Sequence, residues 1–211
     1  MNGIRADYLA AGRVAVALLR APEVAAAWEG PSALAEFRVS GLAGHLANQV
    51  VLVPQLLAGP EPAVERIPLV EHYARASWVE APLDAEVHVQ IRQGGEALAV
   101  PGPAALADRT EAVLDELAGL LPELGDRSVQ GPGWGWSLAL DDLLVTRMME
   151  LTVHGDDLAV SVGLPTPEYP AGAVTASVHL LAEVAVRRHG ATAVLRTLSR
   201  AERASGSIAA F

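Results

Sequence analysis

The chain has 211 residues, with 15 basic against 25 acidic side chains and a formal net charge of −10; its 51% hydrophobic and 19% charged content is that of a globular chain able to bury its own core. Cysteine is absent, which excludes a disulfide framework, a cysteine-ligated zinc or iron–sulfur centre and a protein-borne thiol nucleophile, and every basic residue is Arg, which excludes Schiff-base and P-loop lysine chemistry. The acidic balance and the lack of any basic run exclude a phosphate-binding footprint, so no nucleic-acid partner is expected.

Alanine, leucine and glutamate dominate long stretches and β-branched alternation is scarce, which predicts a mostly helical chain. A first helix is expected from about Ile4 to Trp28, with Ile4, Tyr8, Ala11, Ala15, Leu18 and Leu19 at helical spacing and Glu29-Gly30-Pro31-Ser32 ending it. The N-terminal residues lack the layout of a signal peptide. A second helix starts near Ser40 as N-cap and runs to about Leu57. The stretch from Val39 to Pro60 carries no charge, yet Ser40, His45, Asn48, Gln49 and Pro54 make it too polar for lipid. It reads as a core helix with a polar feature inside, so no membrane partner and a cytoplasmic location are expected.

A Pro-rich loop follows, with Pro60, Pro62 and Pro68, and then one or two helices between Leu69 and Val100, broken near Pro82 or at Gly94-Gly95. Another helix covers about Ala104 to Leu121, closed by Pro122. Arg127 to Leu140, with Gly131, Pro132, Gly133 and Gly135 around two tryptophans, reads as a short hairpin or loop. Asp141 or Asp142 caps a strong helix to about Val162, stopped by Gly163 and Pro165, and Ala171 to Ser199 gives one or two more helices around Gly190. The simplest architecture is an antiparallel helical bundle with a C-terminal helical extension over residues 166–211.

The segment from Asp142 to Leu158 carries the chemistry. On a helical wheel Arg147, Glu150, His154 and Asp157 fall within about an 80° arc, set among Leu143, Leu151 and Leu158. Such groups are costly to bury unless paired or metal-bound. Glu150 and His154 are one turn apart and can reach one point, and carboxylate and imidazole both suit zinc. On the second helix His45 lies on the apolar face with Leu42, Gln49, Leu52 and Leu56, which offers a third donor. Two histidines and one carboxylate with an open position make the catalytic type of zinc site. By spacing alone such residues are more often an ion pair and a hydrogen-bonded core histidine, with Arg147 neutralising Glu150, inside a buried polar network.

The strings Ser40-Gly41-Leu42-Ala43-Gly44-His45-Leu46-Ala47 and Arg147-Met148-Met149-Glu150-Leu151-Thr152-Val153-His154-Gly155-Asp156-Asp157-Leu158 resemble the DinB-like metal-dependent superfamily, and within it the mycothiol-dependent maleylpyruvate isomerase branch. The resemblance covers about residues 1–165. It implies an all-α, four-helix metal-binding bundle, with zinc or another divalent metal held by His45, Glu150 and His154 and with the low-molecular-weight thiol mycothiol as cosubstrate. The family's isomerase carries a separate α/β C-terminal domain, whereas the tail here reads as helix and is similar to relatives that share only the bundle. The implied function is isomerisation or S-transfer on a small electrophilic substrate, by a monomer or homodimer.

In that reading Arg147 either orients Glu150, the cheaper role, or binds a substrate carboxylate, and Asp157 either supports a ligand histidine from behind or is a surface charge. Gln49 is a candidate cavity-lining hydrogen-bonder. Trp134 and Trp136 either roof the pocket or seal the bundle end. Tyr8 is expected in the core, and His72, His88, His179 and His189 have no partner at ligand spacing. The alternatives are a non-catalytic binding module, a metal-dependent hydrolase and an interaction bundle with a buried network.

Overall fold

A computed structural model describes residues 3–79, 81–204 and 206–211. The helical prediction holds, with breaks that the side-chain pattern did not show. Helix α1 (Gly3–Leu19) ends before Pro22, which starts the short α2 (Pro22–Ala26). The one long helix expected to Trp28 is therefore two. Ala21 before the proline is extended, at φ −62° and ψ 132°, because the proline ring disfavours helical geometry in the residue it follows.

Helix α3 (Val39–Val51) begins one residue before Ser40, which is not its cap. The carbonyls of Gly30 and Trp28 accept from the N–H groups of Val39 and Ser40, so the preceding turn satisfies the helix start. The Ser40 hydroxyl instead faces Glu96. A short α4 (Val53–Leu57) follows with Pro54 in its first turn. Between α5 (Leu69–Arg75) and α6 (Glu86–Ala99) the chain breaks around Pro82. Gly94-Gly95 lies inside α6 and is not a break.

Helix α7 (Pro103–Leu120) leads through a turn of 3-10 helix to strands β1 (Ser128–Val129) and β2 (Leu138–Ala139), an antiparallel hairpin. Helix α8 (Leu140–Ser161) leaves β2 directly, with Ala139 at its N-cap. Asp141 and Asp142 sit in its first turn, where they favour the helix dipole, rather than at the cap. Helices α9 (Ala171–His189) and α10 (Ala191–Ser199) are separated at Gly190, whose φ of +82° a residue with a Cβ rarely adopts.

Helices α1, α3, α7 and α8 form the four-helix bundle, α7 and α8 each lying against both α1 and α3. Leu42, Leu46, Leu106, Leu114, Leu117, Leu143 and Leu144 fill its core. Helix α6 runs along the outer side of α3, backbone to backbone: a Cβ on Gly44 would stand 2.0 Å from the Gly95 carbonyl oxygen, and one on Gly95 would stand 2.3 Å from that of Gly41.

Arg5 of α1 ties two helix ends together. It donates to the Leu121, Leu124 and Gly125 carbonyls beyond α7 and pairs with Asp141 of α8 at 2.8 Å. Helix α9 packs on α8 and α1. A second apolar cluster joins Tyr73 of α5, Met149 of α8, Leu180 and Val184 of α9, and Ala210, with the Phe211 ring 5.0 Å from Trp78. No described helix is long and apolar enough to cross a membrane.

Candidate metal centre

His45 comes from the middle of α3, while Glu150, His154 and Asp157 come from successive turns of α8. Because α3 and α8 are neighbours in the bundle, the imidazole of one meets the carboxylate of the other. Glu150 Oε2 lies 3.2 Å from Nε2 of His45 and 3.2 Å from Nε2 of His154. One donor atom from each of the three residues falls within 4.8 Å of the other two. The rings of His45 and His154 meet edge to face at 4.7 Å. All three side chains are mostly buried, at 14–18% exposure.

The electrostatics follow from these contacts. Burial works to raise the Glu150 carboxyl, but hydrogen bonds from His154 and His45 outweigh it and hold the group well below the usual carboxylate range. Burial works to lower His154, yet Asp157 on Nδ1 at 2.9 Å and Glu150 on Nε2 raise it to about 9. His45 goes the other way, lowered by burial against one carboxylate only. Without an ion, the cluster is a hydrogen-bonded network around a cationic His154.

The same donors fit a divalent metal. Ligands held about 2.0–2.1 Å from a tetrahedral zinc stand roughly 3.3 Å apart, close to the 3.2 Å that separates Glu150 Oε2 from each imidazole. Two nitrogens and one oxygen are a borderline donor set suited to zinc. Asp157 fixes the His154 ring through its far nitrogen, the usual arrangement behind a metal-bound imidazole.

Gln49, one turn after His45, is buried beside it. Its amide donates to the His45 carbonyl at 2.9 Å and lies 3.4 Å from Nε2 of the same residue. Arg147 does not touch Glu150, so the expected orienting role is not seen. Its Nη1 donates to Gln49 Oε1 at 2.7 Å and its Nε to Thr146 Oγ1 at 3.0 Å. Glu150 is already committed to two histidines, and the guanidinium turns to the neutral amide. Tyr8 is buried and donates to the Gln49 carbonyl.

Among the described residues, no hydrogen bond or ring pairing joins Trp136 to the three donors. Its indole N–H donates to Nδ1 of His72 at 3.2 Å, and Trp134 lies against the same imidazole at 4.4 Å. His72 is the residue that the sequence reading missed. It is 3% exposed, and burial lowers it to about 4, with the charges of Arg147 and Glu150 both acting on it. No spacing signal marked it, since its partners stand more than sixty positions away. The hairpin carries them in: Gly131 leaves the space that the Trp134 ring fills, and Ser137 pairs with the backbone of Glu65 and Ile67 just before α5. Phe37 completes the surroundings, with its ring 6.0 Å from His45.

The family described as mycothiol maleylpyruvate isomerase N-terminal domain matches residues 8–159, which run from within α1 to within α8 and include all three candidate ligands. No curated protein and no solved structure matches the chain.

Proposed function

Because the chain belongs to the family of the mycothiol maleylpyruvate isomerase N-terminal domain, we propose that it is a zinc-dependent isomerase or S-transferase that uses mycothiol on a small electrophilic substrate. The observation that carries this reading is the convergence of His45, Glu150 and His154 on one point, with Asp157 behind His154. A divalent ion held there supplies a Lewis-acid centre that makes a thiol a thiolate near neutral pH.

The protein's own groups do the rest. His45 and His154 present Nε2, and Glu150 presents one oxygen. Asp157 holds the His154 ring in place, and Gln49 braces the turn of α3 that carries His45. The sulfur must come from a small molecule, because the chain has no cysteine. A thiolate adding to a conjugated double bond forms a C–S bond and turns the double bond into a single bond free to rotate. Elimination breaks the C–S bond and restores the alkene in its other geometry. If the enolate left by the addition takes up a proton at its α-carbon before elimination, the product is an S-conjugate.

The test is metal content beside thiol dependence. Purified protein should hold about one zinc per chain and a His45→Ala variant little. Turnover of an activated alkene should require added thiol. Absence of zinc in both proteins after reconstitution would refute the reading, and turnover without thiol would point to addition of a bound water instead.

A further inference from the structure

Among the described residues, two donor atoms near the candidate ligands have no hydrogen-bond acceptor and remain open to solvent. Arg147 is half-buried on α8, and no carboxylate lies within ion-pair distance of it among the described residues. Other arginines differ: buried Arg5 pairs with Asp141, and the exposed Arg13 and Arg66 pair with Asp115 and Asp126. Arg147 spends Nη1 and Nε on a neutral amide and a hydroxyl, and Nη2 makes no hydrogen bond among the described residues. A partly buried cation left to neutral partners is costly, and an anion would relieve that cost. Its charge already acts on Tyr8, His45, His72 and Tyr73, which places it centrally among the groups around the cluster.

His72 supplies the second donor. An indole N–H can only donate, so the Trp136 bond requires an unprotonated Nδ1 and puts the imidazole proton on Nε2. The ring is therefore neutral with its tautomer fixed. Its Nε2 makes no hydrogen bond among the described residues and is not sealed from solvent, so it is open to a ligand. Arg147 and Glu150 both lie close enough to act on it.

We infer that Arg147 through Nη2 and His72 through Nε2 form a subsite for an anionic oxygen of the electrophile, next to His45, Glu150 and His154. Gln49 and Trp136 are its positioning residues: the first holds the guanidinium, the second sets the imidazole tautomer. The flat faces of Trp134 and Trp136, stacked 10° from parallel, suit a planar conjugated group. The anionic oxygen has two sources, a substrate carboxylate or the enolate oxygen formed as a thiolate adds to a conjugated carbonyl. The inference rests on the proposed function only in calling the bound molecule a substrate.

The experiment titrates crotonate and its neutral amide, crotonamide, into the full chain with and without zinc, by calorimetry and tryptophan fluorescence. Crotonate should bind at least about tenfold more tightly than the amide. Arg147→Gln and His72→Phe should each weaken crotonate about tenfold with zinc content unchanged, and Arg147→Lys should recover part of the loss. Trp136→Phe removes the indole donor and should weaken crotonate by a smaller factor. A carboxylate source predicts that Arg147→Gln raises KM in turnover. An enolate source predicts that it lowers kcat.

Equal binding of acid and amide overturns the inference, as does crotonate binding that depends on zinc but not on Arg147 or His72. Should Arg147→Gln fail to fold, Arg147→Lys and His72→Phe carry the test. Discrimination that depends on Arg147 in a protein that takes no zinc would sink the zinc reading and leave the subsite standing. Zinc uptake without discrimination would do the reverse.

Discussion

Loading a metal on the three donors must displace one proton at neutral pH. Glu150 is held below the usual carboxylate range and is already ionised, and His45 is lowered and already neutral. His154, raised to about 9 between Asp157 and Glu150, is the one that must give up its proton. Apparent zinc affinity should therefore rise about tenfold per pH unit from pH 7 and level off near pH 9. At pH 7 the solution is about two pH units below that point. At about 1.4 kcal/mol per unit, the proton costs metal binding roughly 3 kcal/mol, or about a hundredfold in affinity. Competition against a chelator between pH 6.5 and 9.5 reads the slope, and calorimetry in buffers of different ionisation enthalpy counts the proton. Asp157→Asn removes one of the two carboxylates holding the proton, so the plateau should move to lower pH. A flat profile, or two protons released per zinc at pH 7, would refute the assignment of His154 as the protonated ligand.

The metal-free protein should show the opposite trend in stability. A histidine raised above its unfolded value of about 6.5 stabilises the fold fully below that pH and loses the contribution as pH rises through about 9, so Tm without zinc should fall between pH 7 and 9.5. Gly44→Ala places a Cβ 2.0 Å from the Gly95 carbonyl oxygen, where only backbone can give way. It should cost about 3 kcal/mol in urea unfolding and weaken zinc binding by displacing the adjacent His45. Arg5→Met leaves Asp141 and three carbonyls at the end of α7 without their shared donor. A loss of about 3–5 kcal/mol is expected, with zinc content per folded chain unchanged.

The bundle and the meeting of His45, Glu150 and His154 were legible because both rest on helical period: one turn separates Glu150 from His154, and His45 shares a face with leucines. Helix ends were less legible. Ser40 and the Asp141-Asp142 pair look like caps, yet carbonyls of Gly30 and Trp28 serve one start and the hairpin sets the other. Pro22 is a local signal that the apolar spacing across it concealed. Gly94-Gly95 reads as a break only when its neighbour α3, itself glycine-bearing, is unknown. His72 and the true partner of Arg147 were beyond reach for a different reason. Their contacts join α5, α8, α3 and the hairpin, and no periodicity within one helix encodes them.

The α3–α6 contact has a mechanical consequence. The helix that carries His45 meets α6 main chain against main chain where Gly44 and Gly95 face each other and where Gly95 faces Gly41, so at those positions there is no side-chain layer to compress. Helix α5 and the hairpin instead meet through a layer of rings: His72, Tyr73, Trp134 and Trp136. Rings can turn, slide or be exchanged without moving a helix axis. The α3–α6 contact is thus stiff and holds the helix that carries His45, while the ring layer is compliant. A change of molecule accommodated by this scaffold, whether by motion or by mutation, falls on residues 65–79 and 130–137, and leaves α3 where it is.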